Sequence, residues 1–187
     1  MIGILALQGN YQMHQAMLNK IGAENILIRY ELDLNQCTGL IIPGGESTTI
    51  SKMLSQYNLF NSIKRFSKHN SIFGTCAGLV LMSNYDAESV SGLKLIDVDV
   101  SRNGWGRQIN SFTEEVEIRI SKDSSQFEAT FIRAPRITRV GESVDILSKF
   151  KQEAIMIRQG RHIATTFHPE MHNNPLLHKY FLEIANG

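Results

Sequence analysis

Three places in this chain hold residues whose types and spacing could do chemistry: Cys76 between two glycines, His168 and Glu170 either side of a proline, and a glycine pair before Glu46. The first reads "FGTCAGLVLM" (73–82), a G-x-C-x-G pattern with an apolar run before it and another after it. That layout matches a nucleophile elbow, in which a reactive side chain is held on a strained strand-to-helix turn. Gly74 and Gly78 then have a steric job, because a side chain at either position would collide with the closely packed strand or helix. A sulfur at the start of a helix meets the positive end of the dipole, which favours thiolate over thiol. The Ala77 amide would face an oxyanion formed on a carbonyl attacked by Cys76. The other reading is a small buried core residue, a common fate of cysteine. Five-residue patterns recur by chance, so local sequence leaves both readings open and a partner base must decide. Cys37, in "NQCTGL", has no such frame and reads as core.

The candidate base lies in "RHIATTFHPEM". Ile163–Phe167 reads as a strand, which puts His168 at its carboxyl end. Glu170 follows two positions later. Along an extended backbone, alternate side chains share a face, and Pro169 restrains both itself and the residue before it. A carboxylate beside an imidazole sets the tautomer and stabilises the cation. A lone His-x-Glu is also an ordinary surface ion pair. His168 and His172 have the spacing of helical zinc ligands, but Pro169 argues against a helix through His168, so no metal is expected.

"LIIPGGESTT" lacks the Gly-Lys-Ser/Thr core of a phosphate-binding loop. As plain structure it is a turn in which Ser47 or Thr48 caps the next helix. As a site, Gly44 and Gly45 could offer a second backbone N–H to an oxyanion, with Glu46 and Ser47 meeting a polar substrate.

The elements that must position these residues follow from periodicity. Ile2–Leu7, Asn25–Tyr30, "TGLIIPGG" and "SIFGT" read as strands; Met13–Lys20, Thr48–Tyr57, Leu59–Lys68 and a run from Ala77 read as helices. Continuous apolar strands alternating with helices predict a parallel sheet covered on both faces. "EEVEIRI", "ATFIRA", "SVDILSKF", "EAIMIRQ" and "RHIATTFH" predict further strands that extend or flank that sheet, some antiparallel, and Leu176–Ile184 a last helix behind Pro175. The expectation is one domain over residues 1–187, a three-layer α/β/α sandwich around a mixed, mostly parallel sheet, with reactive groups beyond the carboxyl ends of the strands. The chain of 187 residues is 42% hydrophobic with a formal net charge of +1, which gives no electrostatic reason for nucleic acid or an anionic membrane as partner. No apolar run is long enough for a membrane helix, and "MIGILALQG" reads as a first strand rather than a leader. Two cysteines make no disulfide framework, which points to a reduced, cytoplasmic setting.

"LALQG", "LIIPGGESTT", "FGTCAGLVLM", "RNGWGRQINSF", "FIRAP" and "TFHPE" occur in an order that resembles the glutaminase subunits of pyridoxal 5′-phosphate synthase, which are class I glutamine amidotransferases with a flavodoxin-like fold. The likeness spans essentially the whole chain, and "PGGESTT", "RN-x-x-GRQ" and "FIRAP" are its most specific parts. It implies Cys76 as nucleophile, His168 as base and Glu170 as orienting acid. It implies a glutamine site lined by Gly45, Glu46, Ser47, Arg102, Ile132 and Arg133, with Gly45 and Ala77 as oxyanion donors. An arginine suits an α-carboxylate because its planar fork holds both oxygens. The resemblance further implies L-glutamine hydrolysis through a thioester. The ammonia would pass to a barrel-shaped synthase (lyase) subunit that builds pyridoxal 5′-phosphate from a pentose phosphate and a triose phosphate, with no cofactor bound here.

The chain departs from the family pattern in places. Arg-Glu-His usually follows "LQG" at the positions occupied here by Gln12, Met13 and His14, where a partner would dock. Ser-Phe or Ser-Tyr is common where this chain has Gly104-Trp105, and "SNYDAESVSGLKL" is short. The rival expectations are a glutaminase of another pathway such as histidine biosynthesis, a silent docking subunit, or a cysteine peptidase on the same elbow.

Overall fold

The computed structural model describes residues 1–102, 104, 111–120 and 124–187. Seven strands form the central sheet. In chain order these are β1 (Ile2–Leu5), β2 (Asn25–Ile28), β3 (Gly39–Ile42), β4 (Ser71–Thr75), β11 (Asp145–Phe150), β12 (Glu153–Gln159) and β13 (His162–Thr165). Their spatial order is β11-β12-β13-β4-β3-β1-β2. From β13 to β2 every pairing is parallel, whereas β11 and β12 extend the sheet antiparallel.

The helices are α1 (Tyr11–Lys20), α2 (Ser47–Gln56), α3 (Leu59–Ser67), α4 (Ala77–Met82) and α5 (Leu176–Asn186). The period of two along each strand decides which helices cover which face. Leu5, Leu40, Ile42 and Ile72 pack with Ile50, Leu54, Leu59, Ile63 and Leu79 of α2, α3 and α4. Ile2, Ile4, Ile41 and Phe73 pack on the other face with Leu18 of α1 and Leu177 and Phe181 of α5. The continuous apolar runs are therefore strands buried on both sides, and three layers result.

The middle of the chain departs from a simple extension of the sheet. Among the described residues β8 (Phe112–Arg119) and β9 (Ser124–Phe131) pair only with each other, as an antiparallel ribbon. Val116, Ile118, Phe127, Ala129 and Phe131 pack this ribbon onto the α1/α5 side of the core. β7 (Val98–Ser101) and β10 (Arg136–Val140) make a second ribbon, and β5 (Asp86–Ala87) and β6 (Val90–Ser91) a short third one. Alternation marks β8 and β9 as strands without saying which strand pairs with which, and it gives no sign of β5, β6, β7 or β10. Among the described residues no helix is long and apolar enough to cross a membrane.

Candidate active site

β13, β4, β3 and β1 lie side by side and parallel, so the segments leaving their carboxyl ends meet at one rim. Phe73, Gly74 and Thr75 of β4 are in register with Ile163, Ala164 and Thr165 of β13. That register brings Cys76 and His168 together, and the Cys76 amide donates to the Thr165 carbonyl at 2.9 Å.

Cys76 stands between β4 and α4 at φ 49°, ψ −103°, a left-handed conformation that costs a non-glycine residue roughly 1–3 kcal/mol. The two glycines make the bend possible. A β-carbon on Gly74 would lie 2.5 Å from Met82 Sδ and 2.8 Å from the Gly78 backbone, and one on Gly78 would lie 2.1 Å from the Ile42 carbonyl oxygen. The strained turn expected from G-x-C-x-G is present.

His168 and Glu170 come together, but not along an extended strand. β13 stops at Thr165, and Pro169–Met171 forms a 3-10 turn. Proline at the first position suits that turn, which folds the carboxylate back onto its neighbour. His168 Nδ1 lies 2.7 Å from Glu170 Oε1. With that nitrogen donating to the carboxylate, Nε2 is the one left for Cys76. Burial works against a charged His168, but hydrogen bonds with Cys76 and Glu170 and their charges outweigh it and raise its pKa to about 10. Burial likewise opposes an ionised Glu170, yet the hydrogen bond and charge of His168 hold its pKa below the usual carboxylate range. The pair therefore favours a carboxylate beside an imidazolium.

Gly44 lies flat between the two limbs. A β-carbon there would sit 2.3 Å from His168 Cε1 and 3.3 Å from Cys76 Cβ. Its amide donates to Thr75 Oγ1 at 3.0 Å. Among the described residues the amides of Gly45 and Ala77 have no acceptor. Glu46, rather than Ser47 or Thr48, caps α2, accepting from the Thr48 and Thr49 amides at 3.0 and 2.6 Å. Its carboxylate also takes Arg102 Nη2 at 3.1 Å, and Arg102 Nη1 donates to Thr48 Oγ1 at 3.2 Å. Burial opposes its charge, but the Thr49 and Thr48 hydrogen bonds together outweigh it and bring the Glu46 pKa down to about 2.

A cavity of about 580 Å³ opens over the sulfur. It is lined by every residue proposed above from sequence except Gly44, whose amide is spent on Thr75, and Glu170, which lies behind His168. Ile132 and Arg133 reach it from the end of β9. The Ile132 carbonyl is 3.8 Å from Cys76 Sγ, and Arg133 is at φ 45°, a second strained residue on the same wall. Trp105 lies outside the described residues. Gly104 packs against Arg136, whose Nη1 donates to the Gly104 carbonyl at 3.3 Å.

Sequence reasoning missed Gln8, Asn10, Val80 and Pro135 on the cavity wall. Gln8 Oε1 accepts from the Glu46 amide at 2.8 Å, and Asn10 Nδ2 donates to Glu170 Oε1 at 3.3 Å. Asn10 is the N-cap of α1, yet its side chain makes no capping bond, because it is turned to the carboxylate. The signal was available: both residues follow the carboxyl end of β1. His172 is not grouped with His168; its Nε2 meets Thr130 Oγ1 at 2.6 Å.

The chain as a whole is similar to known proteins. The pyridoxal 5′-phosphate synthase subunit PdxT of Oenococcus oeni is 44% identical over 186 residues, 98% of this chain and 96% of that protein. The PdxT of Francisella philomiragia is 39% identical over 183 residues, 98% of each chain. A crystal structure of a glutamine amidotransferase superposes with a TM-score of 0.92 at 36% identity, covering 100% of this chain and 99% of that one. A model of the SNO glutamine amidotransferase family matches residues 4–186. With the match running from the first strand to the last helix, the chain belongs to the SNO glutamine amidotransferase family.

Proposed function

We propose that this chain is a single-domain glutaminase subunit of pyridoxal 5′-phosphate synthase, hydrolysing L-glutamine to L-glutamate and ammonia for vitamin B6 biosynthesis. The observation that carries the chemistry is the meeting of Cys76, His168 and Glu170 at a cavity that two uncommitted amides face. The shared name of the full-length relatives supports this pathway over histidine biosynthesis.

Cys76 Sγ attacks the side-chain amide carbon of glutamine. The carbonyl oxygen, now an anion, is held by the Gly45 and Ala77 N–H groups, which need no reorganisation as charge develops. The His168 imidazolium gives its Nε2 proton to the leaving nitrogen, so ammonia departs and a thioester to Cys76 remains. Neutral His168 then takes a proton from water, whose oxygen attacks the thioester carbon. A second oxyanion collapses, the C–S bond breaks, and glutamate leaves. Glu170 holds the ring in the tautomer that directs Nε2 to the sulfur. Arg133 is free to meet the substrate carboxylate, while Arg102, tied to Glu46 and Thr48, forms a fixed wall with Ser47 and Ile132.

Free ammonia would be protonated and lost, so the reading includes a cytoplasmic complex with the barrel-shaped synthase subunit. The test is glutamate release by the chain alone and mixed with the synthase subunit of pyridoxal 5′-phosphate synthase or with that of histidine biosynthesis. Stimulation by the first is expected. Stimulation by the second alone, or no glutamate with either, would overturn the assignment.

A further inference from the structure

Behind Glu170 lies a chain of buried polar side chains that the hydrolysis above leaves unused. His14 of α1 and His178 of α5 are both 0% exposed. His14 Nδ1 is 2.9 Å from His178 Nε2, and His14 Nε2 is 3.2 Å from Thr75 Oγ1 and 3.4 Å from Glu170 Oε2. The last of these is too poorly aligned to be a hydrogen bond, so neither Glu170 Oε2 nor His178 Nδ1 has a hydrogen-bond partner among the described residues. Burial lowers the pKa of both imidazoles, that of His178 to about 3, so both are neutral at physiological pH. The titratable groups facing His14 are Glu170, His168 and His178.

Two neutral rings in contact can order their hydrogens in two ways. With the hydrogen of His14 on Nδ1, its Nε2 lone pair would face an anionic oxygen, and His178 Nδ1–H would be a buried donor without an acceptor. With it on Nε2, His178 Nε2–H donates to His14 Nδ1. The His14 N–H then donates to Thr75 Oγ1 with Glu170 Oε2 beside it at 3.4 Å, and only a lone pair is left over at His178 Nδ1. Orphaned buried N–H groups are the rarer and costlier defect, so the second order wins.

We propose that His14, seconded by His178, is a positioning residue of the glutaminase site, whose neutral Nε2–H orients the Glu170 carboxylate and braces the Gly44–Gly45 loop. Thr75 Oγ1 also accepts the Gly44 amide, and the Asn10 amide donates to the Gly44 carbonyl at 2.9 Å. Asn10 Nδ2 and His14 Nε2, four residues apart on α1, thus address the two oxygens of one carboxylate. One helix sets both the acid limb and the loop that presents the Gly45 amide.

The inference rests on the hydrolytic reading of Glu170, and its test separates the two. Nitrogen-15 NMR of labelled imidazoles in the wild-type chain, from pH 5.5 to 8.5, should find His14 neutral with its hydrogen on Nε2. A cationic His14, or one protonated on Nδ1, overturns the proposal whatever the activity. Glutamine hydrolysis with the synthase subunit present supplies the second arm. His14→Leu should lose roughly 10- to 100-fold in kcat, as outer-shell partners typically do, with KM within about twofold. His14→Gln, whose amide N–H reaches the same place, should recover to within about fivefold. A leucine variant with wild-type kcat, or a glutamine variant folded but as impaired as leucine, sinks it. If the leucine variant does not fold, the glutamine variant and the tautomer still decide.

Discussion

Cys37 and Cys76 look alike by the usual measures, being 8% and 7% exposed and each bordering a cavity. Their surroundings differ. Cys37 closes the 3-10 turn Glu31–Gln36 with ordinary extended backbone, and its thiol donates to the Asp33 carbonyl at 3.6 Å. Burial pushes that thiol up to about 11. Cys76 is held at positive φ with a protonated imidazole on one side and uncommitted amides on the other. Burial does not make a cysteine inert or reactive. The backbone bend and the facing charge do.

The largest test of that contrast is activity. Cys76→Ala should abolish glutamate release, a loss of at least about 10³-fold, because no other group can form the thioester. Cys37→Ala should stay within about twofold. Equal losses in the two variants would break the comparison.

Alkylation sharpens it. At pH 7.5 iodoacetamide should modify Cys76 at least about tenfold faster than Cys37, since thiolate is the nucleophile and Cys37 is almost entirely thiol. Peptide mapping after brief exposure reads the ratio, and unfolding in urea should remove it.

The glycines near each sulfur differ in the same sense. Gly78→Ala drives a β-carbon into the Ile42 carbonyl and should cost about 1–3 kcal/mol in urea unfolding. Gly3→Ala, next to Cys37, meets Ile28 Cγ1 at 2.8 Å and Cys37 Sγ at 3.0 Å, side-chain atoms that can shift. Its cost should be smaller, and the reverse order would mean the elbow is less rigid than drawn.

The smallest effect is the pH dependence of stability. His168 gains a proton on folding, its pKa rising from 6.5 to about 10, so its contribution is full below pH 6.5 and fades as pH climbs through 10. Cys37 keeps its proton on folding, so its loss falls between pH 9 and about 11. Melting temperatures of Cys76→Ala should fall less steeply from pH 6.5 to 10 than wild type, and those of Cys37→Ala less steeply only above 9. Identical slopes in all three proteins would contradict the contrast.

The candidate site was legible because its parts obey local rules. Glycines around Cys76 signal a tight turn, and Pro169 argues against a helix through His168. The reasoning failed where a local rule had competing outcomes. His168 and Glu170 meet through a 3-10 turn rather than an extended strand, because the strand ends at Thr165. Glu46 took the cap because its longer side chain reaches two amides while pairing with Arg102. His14, inside a helix, carries no local signal, and its role depends on residues far along the chain.

The sequence by itself determined the alternation of doubly buried strands and helices, the tight glycine-flanked turn around Cys76, and the residue types at each strand end. Those follow from periodicity and from backbone sterics, which act over a few residues. Only the tertiary structure decided that β13 lies beside β4, that the β8–β9 ribbon brings Ile132 and Arg133 to the cavity, and that α1 turns Asn10 and His14 onto Glu170. Strand order and helix rotation minimise exposed apolar area over the whole chain, a global quantity that no short window of residues contains.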